Sequence, residues 1–251
     1  MSNKKIYKGK RQAIREKRRQ DKQRQRLILI LVVVGVALVI AALLIAPSIR
    51  NSIAPVGDII GITPNPRPMA EGTAMGDPNA PILIEVYEDF QCPACQIYSN
   101  EVEPLVTENH VENGEVYYVF RQYPFLDDSA PGNESDQAAN SSMCAAEQGR
   151  FWDYHDILFA NWNGENQGSF SDKRLLAFAE TLDLEMETFT TCFEENRYKN
   201  QIQTDLASGQ DANIQGTPSV LVNGVLVKPG YVPTYDDLKR MIEISIPDSS
   251  E

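Results

Sequence analysis

Cys92 and Cys95, two cysteines with two residues between them, are the side chains of this 251-residue chain most suited to chemistry. An apolar stretch ends before them and a helical pattern begins, so we expect both sulfurs on the first turn of a helix, with Pro93 at an early position. Unpaired backbone N–H groups and the positive end of the helix dipole stabilise a thiolate there. The spacing predicts a redox pair in which Cys92 attacks or leaves and Cys95 resolves the mixed disulfide.

Structural disulfides and half of a zinc site use the same spacing. The other cysteines, Cys144 and Cys192, lie 49 and 97 residues after Cys95, and neither has a second cysteine or a histidine at ligand spacing. We therefore predict neither a metal site nor a cofactor. Each of the two falls on a predicted helix, so they form either a structural disulfide or two buried thiols, and outside the cell we favour the disulfide.

A further chemical signal is Thr217-Pro218, which follows Gly216 and directly precedes a predicted strand. Proline has no N–H to donate to a sheet, so its place at a strand start indicates either an ordinary strand boundary or a cis-proline turn. The position alone does not distinguish these two interpretations.

The segments around the cysteine pair predict a β-α-β unit. Residues 82–87 are an apolar stretch typical of a buried strand, residues 92–106 have a helical pattern, and residues 116–120 are β-branched and aromatic. Two strands joined through a helix are expected to pair in parallel.

The pattern turns helical from about residue 136 to 208 and then returns to strands. Apolar residues recur at i, i+3, i+4 and i+7 behind a Ser171 N-cap, at Leu175, Phe178, Ala179 and Leu182. Asn223-Gly224 between two β-branched stretches predicts a hairpin, and residues 235–244 a last helix. This order predicts an α/β, thioredoxin-like fold with an inserted helical domain. Within the insert, aromatic residues at helical spacing indicate core, namely Phe151, Trp152, His155 and Phe159; His110 is expected on the surface.

Three stretches together resemble the DsbA-like family of extracytoplasmic thiol–disulfide oxidoreductases in the thioredoxin superfamily. They are residues 76–81 leading to Asp89-Phe90-Gln91-Cys92-Pro93-Ala94-Cys95, residues 144–152 with His155-Asp156, and Gly216-Thr217-Pro218-Ser219 with Asn223-Gly224. The resemblance implies a redox dithiol of Cys92 and Cys95 facing a cis-proline loop, where the Thr217 backbone pairs with an extended substrate segment beside Pro218.

The sequence departs from that family in two places. Many relatives carry an acid six positions before the redox cysteine, as a candidate proton acceptor, but this position is Val86 here, with Glu85 one step away. The residues between the cysteines, Pro93 and Ala94, lack the histidine that some members use. The helix start must therefore carry more of the thiolate stabilisation.

The N-terminal region has the composition of a membrane anchor. Residues 1–26 hold 12 Lys and Arg against 2 acids, net +10, whereas residues 27–251 hold 11 against 33, net −22. Between these regions, residues 27–46 are 20 uncharged residues, enough for a helix to cross a bilayer and too many for an ordinary signal peptide. The basic arm predicts a cytoplasmic N-terminus, and everything after Pro47 is expected outside.

We therefore expect a basic arm at 1–26, a transmembrane helix at 27–46, an extended proline-containing linker at 47–75, the thioredoxin-like domain at 76–246 and a tail at 247–251. The acidity of the outer part argues against nucleic acid as a partner. We expect a monomer held at the membrane by its own anchor.

The predicted function is a thiol oxidase that introduces disulfides into reduced exported proteins and passes the electrons to a membrane quinone-linked thiol oxidase partner. A disulfide isomerase or reductase of the same fold is the alternative. A tethered binding or chaperone module with structural cysteines is a third hypothesis, from another functional class.

Overall fold

The computed structural model describes residues 24, 26, 29–42, 56–129 and 133–246. Most of the expected basic arm, both ends of the expected transmembrane helix, the first part of the expected linker and the tail at 247–251 lie outside these residues. Residues 29–42 are helical, with mostly exposed side chains. Within the described ranges, no helix combines the length and the apolar character needed to cross a membrane.

A five-stranded mixed sheet forms the centre of the unit that begins at Val56. Its strands are β1 (Ala74–Met75), β2 (Ile82–Glu88), β3 (Val116–Gln122), β4 (Ser219–Val222) and β5 (Val225–Leu226), in the order β1-β3-β2-β4-β5. The β2 and β3 strands pair in parallel, and the other pairs are antiparallel. The apolar β2 strand is the middle strand, so the residues that follow its carboxyl end lie at the centre of that end of the sheet.

The crossover from β2 to β3 contains two helices, α1 (Pro93–Glu101) and α2 (Glu103–Val106), followed by a π-helical turn at Thr107–Val111. The single helix expected over residues 92–106 is therefore interrupted at Val102. Pro104 lies within the first two residues of α2, where its missing N–H and fixed φ favour a new helix start.

The segment between β3 and β4 is helical, as its sequence pattern indicates. After a short 3₁₀ turn at Leu126–Ser129 it contains α3 (Glu134–Ala146), α4 (Phe151–Ala160), α5 (Asp172–Thr181), α6 (Met186–Glu194) and α7 (Lys199–Asp211). The helix α8 (Tyr235–Ser245) ends the domain behind a capping box between Thr234 and Asp237. The aromatic residues of α4 are buried, so they belong to the core.

Residues 56–75 differ from the extended linker expected at 47–75, because they pack on the domain. Ile59 and Ile62 contact the hydrophobic core, and Met75 is fully buried in β1. Ile60 exchanges two backbone hydrogen bonds with the Asn161 side chain, at 2.8 and 2.9 Å. Isolated apolar side chains and polar contacts with residues far away in the chain hold this segment, so no apolar periodicity marks it in the sequence.

Candidate active site

The cysteine pair lies at the junction of β2 and α1. Cys92 is the N-cap of α1, with extended backbone angles, and Pro93 begins the helix. Both cysteines are free thiols in this structure. Cys92 keeps 7% of its surface exposed and Cys95 keeps none, so only Cys92 is open to a second molecule.

The pKa values of the two thiols are shifted in opposite directions. The pKa of Cys92 is lowered to about 6, because its sulfur accepts a hydrogen bond from the Cys95 thiol and further bonds from the N–H groups of Cys95 and Ala94, which outweigh burial. Complete burial raises the pKa of Cys95 well above that of an ordinary thiol, and the bond it gives to Cys92 acts in the same direction. Cys92 is therefore the thiolate near neutral pH.

The loop before β4 reaches the same place from the far end of the chain. The Thr217–Pro218 peptide bond is cis, and the Cys92 thiol lies 3.3 Å from the carbonyl oxygen of Thr217. This loop also lines a groove of about 680 Å³ together with Leu226 and Val232. The structure thus brings Cys92, Cys95, Thr217 and Pro218 into one site, with Pro93 and Ala94 between the two sulfurs.

Glu88, the last residue of β2, is a buried acid that the sequence reasoning missed. It lies four positions before Cys92, it is fully buried, and it interacts with the buried thiol of Cys95. Burial, followed by the nearby charges of Glu103 and Cys92, raises its pKa well above the ordinary range. A carboxyl group that keeps its proton here can exchange it with a thiol.

The alternation of β2 contained the signal that identifies Glu88. Successive residues of a strand point to opposite faces, so Glu88 shares its face with Val86, the position at which the DsbA-like resemblance leads us to expect an acid, and with two buried isoleucines, Ile82 and Ile84. Glu85 faces the other way and pairs with Arg121 at 2.7 Å. The candidate proton acceptor is therefore on the expected face, two residues later.

A buried ionic group lies behind this acid. Glu103, His155 and Asp156 present potential metal-ligand atoms within 4.8 Å of one another. Arg67 from the N-terminal segment lies 2.7 Å from Glu103 and 2.9 Å from Asp156, and its guanidinium stacks on Trp152. The arginine already balances both carboxylates, which makes this group a poor cation site.

Cys144 and Cys192 are joined by a disulfide with a sulfur–sulfur distance of 2.02 Å. The bond connects α3 to α6, and both residues are buried in the insert. The cysteines of the chain are thus divided between one closed bridge and one free dithiol.

Comparison with known families agrees with this arrangement. A family model described as thioredoxin matches residues 69–244. The chain belongs to the thioredoxin family. A relative from Bacillus anthracis, "Probable disulfide bond formation protein D", is 27% identical over 174 residues, which are 68% of this chain and 76% of the relative. The "Na(+)/H(+) antiporter NhaA 3" of Salinispora tropica is 36% identical over 149 residues, 59% of this chain, but the match spans only 21% of that protein.

Solved structures give the same fold. BdbD from Bacillus subtilis (oxidised) has a TM-score of 0.61 at 24% identity, covering 75% of this chain and 98% of that one. DsbA from Chlamydia trachomatis has a TM-score of 0.58 at 24% identity, covering 76% and 96%. Together with the family match, these comparisons confirm the predicted thioredoxin-like fold with inserted helices and the resemblance to DsbA-like proteins.

Proposed function

We propose that this thioredoxin-family chain is a thiol–disulfide oxidoreductase that introduces disulfides into reduced exported proteins through Cys92 and Cys95. The proposal rests on the position of Cys92. This residue is the N-cap of α1, its sulfur lies 3.3 Å from the Thr217 carbonyl oxygen, and the pKa of its thiol is lowered to about 6. The relatives named disulfide bond formation protein D support this enzyme class, which is the class that the sequence predicts.

The reaction begins from the Cys92–Cys95 disulfide. A substrate thiolate attacks the Cys92 sulfur, the bond to Cys95 breaks, and Cys95 leaves with the electron pair and takes up a proton. A second substrate thiolate then attacks the substrate sulfur bound to Cys92. The Cys92 thiolate leaves, so the substrate is oxidised by two electrons and the dithiol is reduced by two. A low pKa makes Cys92 the better leaving group in this second step.

Glu88 provides the proton that Cys95 needs. A buried thiolate at Cys95 is unfavourable, because burial raises the pKa of this thiol well above its ordinary value. The raised pKa of Glu88 favours the protonated carboxyl group, so Glu88 can donate to Cys95 when the mixed disulfide forms and accept the proton when the disulfide closes again.

The proposal places the domain outside the cytoplasm, on a single membrane helix at residues 27–46, with a membrane quinone-linked thiol oxidase as the partner that reoxidises the dithiol. The +10 charge of residues 1–26 against the acidic remainder supports this orientation. The helix observed over residues 29–42, whose valines, leucines and isoleucines are largely exposed, supports a span in this region.

The test is peptide oxidation by the full-length protein in detergent. The oxidised protein is mixed with a reduced peptide carrying two cysteines, and we expect one peptide disulfide per Cys92–Cys95 pair reduced. Cys92→Ser should abolish the reaction. Cys95→Ser, reduced and mixed with the disulfide form of the same peptide, should trap the peptide on Cys92 as a mixed disulfide, because no second thiol is present to release it. Faster reduction of insulin than oxidation of the peptide would favour the reductase or isomerase alternative, and no reaction in either direction would favour the binding module.

A further inference from the structure

The residue directly before Cys92 is held by the helical insert. Gln91 is fully buried, and its side-chain oxygen accepts a hydrogen bond from the backbone N–H of Asn166 at 2.5 Å. Its side-chain nitrogen donates to Ser135 at 2.9 Å and to Asp127 at 3.2 Å. All three partners come from the segment between β3 and β4, residues 123–218, which we call the insert. The side-chain amide is therefore satisfied by the insert.

The backbone of Gln91 is tied to the same part of the chain. The indole N–H of Trp162, in the loop after α4, donates to the Gln91 carbonyl at 2.8 Å. This carbonyl belongs to the peptide plane shared with Cys92, so the hydrogen bond also fixes how the N-cap is oriented. A change in the orientation of the N-cap moves the Cys92 sulfur relative to the N–H groups of Cys95 and Ala94, which lower its pKa.

The turn that leads into the cysteine pair also makes hydrogen bonds to the insert. Asp89 accepts hydrogen bonds from the Gln91 N–H at 2.8 Å and from the Ser135 hydroxyl at 2.7 Å. Its second oxygen accepts from the Leu126 N–H at 3.1 Å. Beyond the dithiol, the Gln96 side chain donates to the carbonyl of Phe159 in α4 at 2.7 Å. The two cysteines thus lie between two glutamines that both contact the insert.

We propose that Gln91 and Trp162 are positioning residues for thiol–disulfide exchange. Through their hydrogen bonds the insert holds the backbone before Cys92 and sets the orientation in which the Cys92 sulfur attacks a disulfide. This inference rests on the proposed oxidoreductase function and adds a task for the insert. These hydrogen bonds act on the backbone next to the reacting sulfur, so their loss changes the reactivity of Cys92.

Trp162→Phe in the full-length protein tests this, because it keeps a ring and removes only the N–H. The matched control is Tyr154→Phe, which removes a hydroxyl that donates to the Leu175 carbonyl at 2.7 Å wholly within the insert. The measurements are the rate constant of Cys92 with glutathione disulfide across pH and the urea midpoint of the reduced protein. We expect Trp162→Phe to react about fivefold more slowly, the scale of one hydrogen bond, with its reactivity profile moved to higher pH.

Tyr154→Phe should lower the urea midpoint and leave both the rate and the profile unchanged. Gln91→Met, which removes the side-chain bonds and keeps the carbonyl, is the second variant and decides the question if Trp162→Phe does not fold. Rates and profiles equal to those of the control in the folded variant overturn the inference. A wild-type Cys92 that does not exchange at all overturns the proposed function itself, which is a separate outcome.

Discussion

At the scale of single residues, the redox pair shows how differently two identical side chains behave one helical turn apart. Cys92 at the N-cap receives hydrogen bonds and ionises at about pH 6, whereas Cys95, three residues on, is fully buried and keeps its proton. The largest contribution to the acidity of Cys92 is the Cys95 thiol, so each cysteine is part of the other's environment. The pKa of each thiol therefore depends on the presence of the other.

This dependence leads to a prediction for variants at position 95. Cys95→Ala removes the donor and should raise the pKa of Cys92, whereas the hydroxyl of Cys95→Ser still donates and should preserve more of the lowering. The pH dependence of alkylation by iodoacetamide measures this, with mass spectrometry to locate the label. Equal midpoints in the two variants would show that the helix start alone sets the acidity.

A second prediction concerns Glu88→Gln. Glutamine keeps the shape but carries no exchangeable acid, so peptide oxidation should slow by about tenfold or more, with little change in the alkylation rate of Cys92. A buried acid with a raised pKa favours folding at low pH and loses this contribution as pH rises above the unfolded value. Glu88→Gln should therefore unfold at higher urea than wild type at pH 7.

The control for that variant is Glu85→Gln, on the opposite face of β2 and paired with Arg121. It should leave peptide oxidation unchanged. Equal slowing by both variants would mean that the effect comes from the net charge of the domain, and Glu88 would lose its role as the proton donor.

At the scale of elements, the buried group around Arg67 joins parts of the fold that are far apart in sequence. Arg67 comes from the N-terminal segment, Glu103 begins α2, and Asp156 lies in α4. The side chains of Arg67 and Glu103 are 6% and 0% exposed, so each charge depends on its partner for stabilisation. The segment is thereby fastened to the crossover and to the insert at once.

Removal of this arginine should be costly. Arg67→Met leaves two buried carboxylates without their cation and should reduce the free energy of unfolding by about 3 kcal/mol, measured by urea at pH 7. The double variant Arg67→Met, Glu103→Gln removes one of these charges and should regain part of the loss. A single variant as stable as wild type would contradict the buried pairing.

Elements with strong local signals were predictable, and long-range contacts were less so. The hairpin at Asn223-Gly224 and the β-α-β unit follow from turn chemistry and from the periods of their residues, which are local properties. The prediction for His110 was wrong. It is buried because Tyr235, 125 residues away, lies 3.3 Å from its Nε2, while Glu115 lies 2.8 Å from its Nδ1. Arg67 was missed for the same reason, since no local pattern indicates a partner in α4.

At the scale of the whole molecule, the charge at Cys92 links redox state to stability. The thiolate contacts at the helix start exist only when the Cys92–Cys95 disulfide is open, so they stabilise the reduced fold alone. The Cys144–Cys192 bridge in the insert is separate from this exchange. Stability and reduction potential therefore form one thermodynamic cycle.

The sign of this linkage can be predicted. The folded pKa of Cys92 lies below its unfolded value, so the thiolate contribution is complete above about pH 8.5 and is lost as pH falls through about 6. Reduced protein should resist urea better than oxidised protein at pH 8, with an advantage of about 3 kcal/mol or less that shrinks towards pH 5. A more stable oxidised form at pH 8 would favour the reductase reading of this site.

Because the insert lies between Cys92 and Thr217 in the chain, the two parts of the site emerge at different times during export. Cys92 and Thr217 are 125 positions apart, and β4 lies next to β2 although the whole insert comes between them in the chain. In the proposed orientation the N-terminus stays in the cytoplasm and the segment nearest the anchor is exported first, so the cysteine pair emerges early and the Thr217 loop late. Until Ser219–Val222 arrives, β2 has an open edge beside the dithiol and the Thr217 carbonyl is missing. The emerging polypeptide therefore carries reactive sulfurs before it has the surface that aligns a client, and it becomes a competent catalyst only when its last hairpin docks.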